Sequence, residues 1–181
     1  LTTYQMLFAM GSVRKGDKVL VHSAAGGIGL AAIELCRIAE AEVIGIASPG
    51  KHTFLRDRGV KLLIDSHTKD LLGDVKKLTG GKGVEIVLDP VGGKSWAIGF
   101  DCLAPTGRLV MFGISSAATG KKRSWLSYAK TVASIPWFKV NPVSLINQNK
   151  ALIGVNLGHM WGEREKMREW AMEILKWHAE G

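Results

Sequence analysis

The chain has 181 residues, 46% hydrophobic and 22% charged, the proportions of an ordinary globular domain with a sizeable core. They exclude a disordered chain, a collagen-like repeat and a disulfide-stapled miniprotein. Lys and Arg number 24 against 16 Asp and Glu, a net charge of +8, which favours an anionic partner without naming it.

Leu1 to Leu7 read as helix and open without an initiator Met, as a piece cut from a longer protein would. After the turn Lys15-Gly-Asp17, the apolar run Lys18–His22 predicts a buried strand. A Gly-rich turn leads into a helix over about Ile28–Glu40, with Leu30, Ile33, Leu35, Cys36 and Ile38 on its apolar face. The alternation continues: strand Glu42–Ala47, helix Lys51–Arg58, strand Val60–Ile64, helix Thr68–Leu78, strand Val84–Leu88, helix Ser95–Leu103 and strand Arg108–Phe112. Residues Ser115 to Lys150 form a longer connection with a basic run (Lys121 to Arg123), an aromatic stretch (Trp125 to Phe138) and the prolines Pro136 and Pro142. A sixth strand, Ala151–Leu157, and a helix over Glu163–Glu180 follow, the helix lined by Met167, Trp170, Ala171, Ile174 and His178. Strands alternating with helices predict an α/β fold, a Rossmann-type doubly wound parallel sheet of six strands forming one domain over residues 1–181. Cys36 and Cys102 fall in amphipathic helical segments and read as buried free thiols of a reducing compartment. No apolar run is long enough to span a membrane and no leader pattern opens the chain, so the expected location is cytoplasmic.

Ala24-Ala-Gly26-Gly-Ile-Gly29 stands between the first strand and the first helix, where a dinucleotide-binding turn belongs. It matches G-x-G-x-x-G with Ala24 in the first place. Gly26 lets backbone N–H groups approach a pyrophosphate, Gly29 lets the helix pack on the strand, and the helix N-terminus supplies donors and partial positive charge. Past the second strand, where an NAD site offers Asp or Glu to the ribose, the chain reads Ala47-Ser-Pro-Gly-Lys-His52. Nothing there repels a 2′-phosphate, and Ser48, Lys51 and His52 can donate to one, so NADPH is expected over NADH. The alternative for Lys51 is a solvated residue of a helix's first turn.

These segments resemble the medium-chain dehydrogenase/reductase superfamily and its zinc-independent, zeta-crystallin-like quinone oxidoreductase branch. Leu1-Thr-Thr-Tyr4 is similar to the helix that joins the two domains of that family. Val19 to Gly29 resembles its phosphate-loop signature, and Gly83 to Gly93 and Gly107 to Gly113 resemble its fourth and fifth strands with their loops. Lys139-Val-Asn-Pro142 and the preceding aromatic stretch resemble the vesicle amine transport protein group. The resemblance implies that Ala25, Gly26, Gly27 and Ile28 hold the pyrophosphate, with Gly29 behind them, and that Ser48 and Lys51 meet the 2′-phosphate. Ser66 stands where relatives often place Tyr or His beside the adenosine. Gly93 and Phe112, Gly113, Ile114 and Ser115 would border the adenine and ribose side; Val155, Asn156 and Leu157 would approach the nicotinamide, and Thr2 its edge. It further implies hydride transfer to a quinone or α,β-unsaturated carbonyl, a GroES-like catalytic domain outside this chain, and a homodimer paired through the sixth strand.

The five histidines show no metal-ligand spacing with each other or with the cysteines, so no metal site is expected. A zinc-dependent alcohol dehydrogenase is a further alternative, its ligands then lying in the absent domain. Asp89 reads as a residue that orders the loop after its strand, not as an acid catalyst. The basic run is short and carries no nucleic-acid motif. The aromatic stretch is compatible with core packing, an active-site cover, a partner protomer or a membrane surface, and the last gives a second reading: a nucleotide-binding module of a lipid-associated protein.

Overall fold

The computed structural model describes residues 1–115 and 140–180. Apolar runs between turns form the strands, and the central ones are buried on both faces. In β1 (Lys18–Val21), Val19 and Val21 face one layer and Leu20 the other, all three fully buried. The same alternation places Ile86 and Leu88 of β4 (Val84–Asp89) opposite Val87. With β2 (Glu42–Ala47), β3 (Leu62–Asp65), β5 (Leu103–Met111) and β6 (Ala151–Gly154) they make one parallel sheet in the order β3-β2-β1-β4-β5-β6. Each fully buried aliphatic side chain contributes about 1.5–3 kcal/mol relative to exposure.

Helices cover both faces. On one side lie α1 (Thr2–Tyr4) with its π-helical continuation Gln5–Ala9, α2 (Gly27–Ile38), α3 (His52–Arg56) and α7 (Arg164–Glu180). On the other lie α4 (Leu71–Thr79), α5 (Lys94–Asp101) and α6 (Pro142–Gln148). This is the doubly wound α/β arrangement expected from the alternation. Chain order reverses between β1 and β4, which opens a crevice at their carboxyl ends.

Three expectations need correction. β5 begins at Leu103, not Arg108, because Leu103 pairs with Val84 before a register shift that absorbs the Pro105–Gly107 segment. β6 ends at Gly154, not Leu157: its partner β5 stops at Met111, and the chain then turns through Leu157–His159. On α7, Trp177 takes the inward place given to His178, packing at a tilt against Phe8 with ring centroids 4.9 Å apart, while His178 is exposed. Cys36 and Cys102 are both buried and free, Cys102 as the residue that ends α5. The basic run and the aromatic stretch Trp125–Phe138 lie outside the described residues.

Candidate functional site

β1 delivers the chain into a tight turn at the crevice. His22 N–H donates to Leu88 O at 3.1 Å and Ala24 N–H to Ile46 O at 3.0 Å, so both neighbouring strands hold the turn. Ser23 sits in the left-handed region at φ 53°. Gly26 N–H then bonds back to Ser23 O at 2.8 Å, and α2 starts immediately. Among the described residues no side chain caps α2, so its first N–H groups are left at the crevice without an intrahelical acceptor. A helix of twelve residues with a free N-terminus presents donors and partial positive charge to an anion.

The glycines of this turn do different work. A Cβ on Gly29 would stand within 2.6 Å of the Ala24 carbonyl carbon, so glycine here is dictated by helix-on-strand packing. A Cβ on Gly27 would meet nothing among the described residues within 4 Å. The protein itself does not need glycine at Gly27, whereas a ligand lying against the backbone would.

A cleft of about 540 Å³ extends from this turn. Of the expected site residues, Ala25, Gly26, Ser48, Lys51 and Ser66 line it together. Its apolar floor is Ile46, Ala47, Leu71, Val91 and Ile98, suited to a flat ring, and Thr68, Ser95 and His22 complete the wall. Lys51 is exposed at the rim. His52, read as a further donor, instead spends Nε2 on its own backbone, hydrogen-bonded to Ala47 O at 3.0 Å. The carboxylate nearest in register is Asp65, opposite Ala47 across β2 and β3. It is engaged by the His67 N–H and Nδ1, each at 2.9 Å, and the backbone donor chiefly holds its pKa below the usual range.

The remaining expected residues lie outside the lining of this cleft. Gly93 is buried at the start of α5, at φ 62° and ψ −127°, where only glycine is at ease. Phe112 to Ser115 follow β5 and are stitched to the loop after β4 through Phe112 N–H to Asp89 O at 3.2 Å and Ser115 N–H to Pro90 O at 2.8 Å. Val155 is buried, and the Asn156 side chain accepts from Gly158 N–H at 3.1 Å, capping the turn after β6. Leu157 lines a second hollow of about 520 Å³ with Leu1, Trp161 and Met167, and Thr2 belongs to α1.

Asp89 is fully buried and organises the β4–α5 loop, as its position suggested. Oδ1 accepts from Val91 N–H at 2.6 Å and Gly92 N–H at 3.3 Å, and Oδ2 accepts from Ser95 Oγ at 2.5 Å. His22 and Ser95 were missed by sequence reasoning. They lie on different elements, and only the adjacency of β1 and β4 brings them to one wall. Among the described residues no three His, Cys, Asp or Glu side chains gather as metal ligands. Among them, too, no helix is long and apolar enough to cross a membrane.

Residues 27–177 match the family described as zinc-binding dehydrogenase. The chain is 40% identical to the synaptic vesicle membrane protein VAT-1 homolog of Rattus norvegicus over 185 residues, covering all of this chain and 44% of the rat protein. It thus spans less than half the length of the curated relatives it matches. Among solved structures it superposes on the nucleotide-binding subdomain of the enoylreductase domain of PpsC from Mycobacterium tuberculosis. That match has a TM-score of 0.80 at 26% identity and covers 99% of this chain and 92% of the other. The human synaptic vesicle membrane protein VAT-1 homolog-like protein gives 0.74 at 27%, covering 99% and 46%. The free helix N-terminus, the glycine turn and the cleft at the sheet's reversal point thus sit in a chain that belongs to the zinc-binding dehydrogenase family of the medium-chain dehydrogenase/reductase superfamily and is VAT-1-like.

Proposed function

We propose that this domain binds NADPH for an oxidoreductase that transfers hydride to quinones or α,β-unsaturated carbonyl compounds. The observation that carries the reading is the pairing, in one cleft, of the uncapped α2 N-terminus with Ser48 and a Lys51 that, among the described lining residues, no carboxylate opposes. The open space over Gly27 fits the close approach of a pyrophosphate. In this reading Ala25, Gly26, Gly27 and Ile28 hold the pyrophosphate, and Ser48 and Lys51 bind the 2′-phosphate. Ser66 and the Ile46–Ile98 floor receive the adenosine, and the loops at Gly93, Phe112–Ser115 and Val155–Leu157 flank the rest, with Thr2 beyond them. When bound, the reduced nicotinamide supplies the hydride. The chain's own part is to bind, orient and shield it; no side chain here is assigned as an acid or base.

Calorimetric titration with NADPH and NADH tests this. NADPH is expected to bind more tightly, by about 10-fold or more, with the preference removed by Lys51→Glu, which places a carboxylate opposite the 2′-phosphate. Equal affinities for both cofactors, or a preference unchanged in the variant, would overturn the NADPH assignment. The open edge of β6 is further proposed as the pairing edge of a homodimer, which sedimentation at high concentration tests against a monomer. A cytoplasmic location is proposed with it. The curated relatives' description as vesicle membrane proteins favours a second reading, association with a lipid surface. Liposome flotation of the chain, with and without residues 124–138, decides it: binding lost with that segment supports the lipid reading.

A further inference from the structure

The proposed site leaves one buried titratable side chain without a task. The His22 side chain is 9% exposed, and among the described residues its Nε2 has no hydrogen-bond partner. The Asp89 Oδ2 atom is 3.9 Å away, beyond hydrogen-bonding reach, and already takes the Ser95 hydroxyl. His22, Val91 and Ser95 line the same cleft as Ala25 and Gly26. One imidazole therefore stands between the phosphate turn and the carboxylate that organises the β4–α5 loop.

The charges around it are few. Asp89 of β4 is the carboxylate that acts on His22. Around the cleft, α4 presents Leu71, α5 presents Ser95 and Ile98, and the segment after β3 presents Ser66 and Thr68. Among the described lining residues Lys51 is the other ionisable group. Burial holds the His22 pKa below its ordinary value, against the upward pull of Asp89, so the ring is neutral near pH 7 before a ligand binds. A pyrophosphate on the turn that begins one residue later adds a second negative charge near the ring. Both anions then favour the imidazolium.

We propose that His22 is a proton-linked positioning residue: when a dinucleotide's pyrophosphate occupies the turn, His22 takes a proton from solvent and bridges it to Asp89. The bridge fixes Val91, Gly92 and Ser95 against the ligand. The proposal rests on the dinucleotide reading above, and its test separates the two.

NADPH binding is titrated calorimetrically in two buffers of different ionisation enthalpy, for the wild-type chain and for His22→Gln. Titration of the 2′-phosphate is common to both proteins, so the difference between them reports His22. The wild type is expected to take up a larger fraction of a proton, and to gain up to about tenfold more affinity than the variant between about pH 8 and pH 6. If the variant does not fold, the imidazole C–H resonance of His22 in the wild type carries the test. Its titration midpoint should rise by about one unit with NADPH bound. Equal proton uptake in both proteins, or an unmoved midpoint, overturns the role of His22 while leaving the dinucleotide reading intact. A wild type that binds no NADPH at any pH overturns that reading, and this proposal with it.

Discussion

The Ser95 hydroxyl donates a 2.5 Å hydrogen bond to the Asp89 carboxylate six residues before it, closing the loop between β4 and α5 on the cleft wall. Asp89 is fully buried and also accepts two backbone N–H groups, so removing it strands three donors. Asp89→Ala is expected to destabilise the domain by about 3 kcal/mol, and Ser95→Ala by about 1–2 kcal/mol. Urea unfolding checks both. A loss under about 1 kcal/mol for Asp89→Ala would mean the loop does not depend on this carboxylate.

The phosphate turn separates packing from ligand approach within two residues. Gly29→Ala drives a methyl group into the backbone of Ala24, and about 2–3 kcal/mol of stability should be lost. Gly27→Ala meets open space at the first position of α2, so the thermal midpoint should hold or rise slightly. Its dinucleotide affinity should nonetheless fall by about tenfold or more, because the added methyl stands where the pyrophosphate approaches. Full affinity in Gly27→Ala would place the ligand elsewhere.

Much of this fold was readable from the chain because each strand is a short apolar run and each helix repeats on a three-to-four-residue period, so local pattern and tertiary burial agree. The start of β5 was not readable: Leu103-Ala-Pro-Thr-Gly107 carries turn residues, and only pairing of Leu103 with Val84 keeps it in the sheet. The glycine turn, Ser48 and Lys51 were legible because one contiguous motif and one strand end carry them. The shared wall of His22 and Ser95 was not: His22 lies within the motif, but no role attaches to it there, and its meeting with Ser95 depends on which strands become neighbours. His52 went astray for a local reason: its ring reaches back to Ala47 O, a bond that composition does not reveal.

The exchange of Trp177 for His178 on α7 has a measurable consequence. Trp177 packs on Phe8 and Tyr4, at 4.9 and 5.8 Å between ring centroids, and anchors α7 to the N-terminal turns. Trp177→Ala should cost about 2–3 kcal/mol, somewhat less than a fully buried aromatic because the ring is only partly buried. His178→Ala should change stability by less than about 0.5 kcal/mol. The reverse ranking in denaturant melts would put the wrong face of α7 against the sheet.

Burial also sets how the domain responds to alkali. It is the leading cause that pushes the Cys36 and Cys102 thiols up to about 12, with Asp17 and Asp101 respectively adding to the shift. Tyr4 is pushed up to about 12 as well, by burial first and then by its hydrogen bond to Glu173. All three are neutral when protonated and ionise earlier in the unfolded chain, at about pH 8.5 for a thiol and about 10 for a tyrosine. The unfolded state therefore sheds protons first. The stabilisation is fully present below about pH 8.5 and is lost as the pH rises towards the folded values. Denaturant midpoints should be level from neutrality to that point and fall above it. Because the thiolate is the reactive form, an aromatic disulfide reagent at about pH 8 should label Cys36 and Cys102 only as fast as the domain opens. Immediate labelling of either thiol in the native protein would show that its burial does not hold in solution.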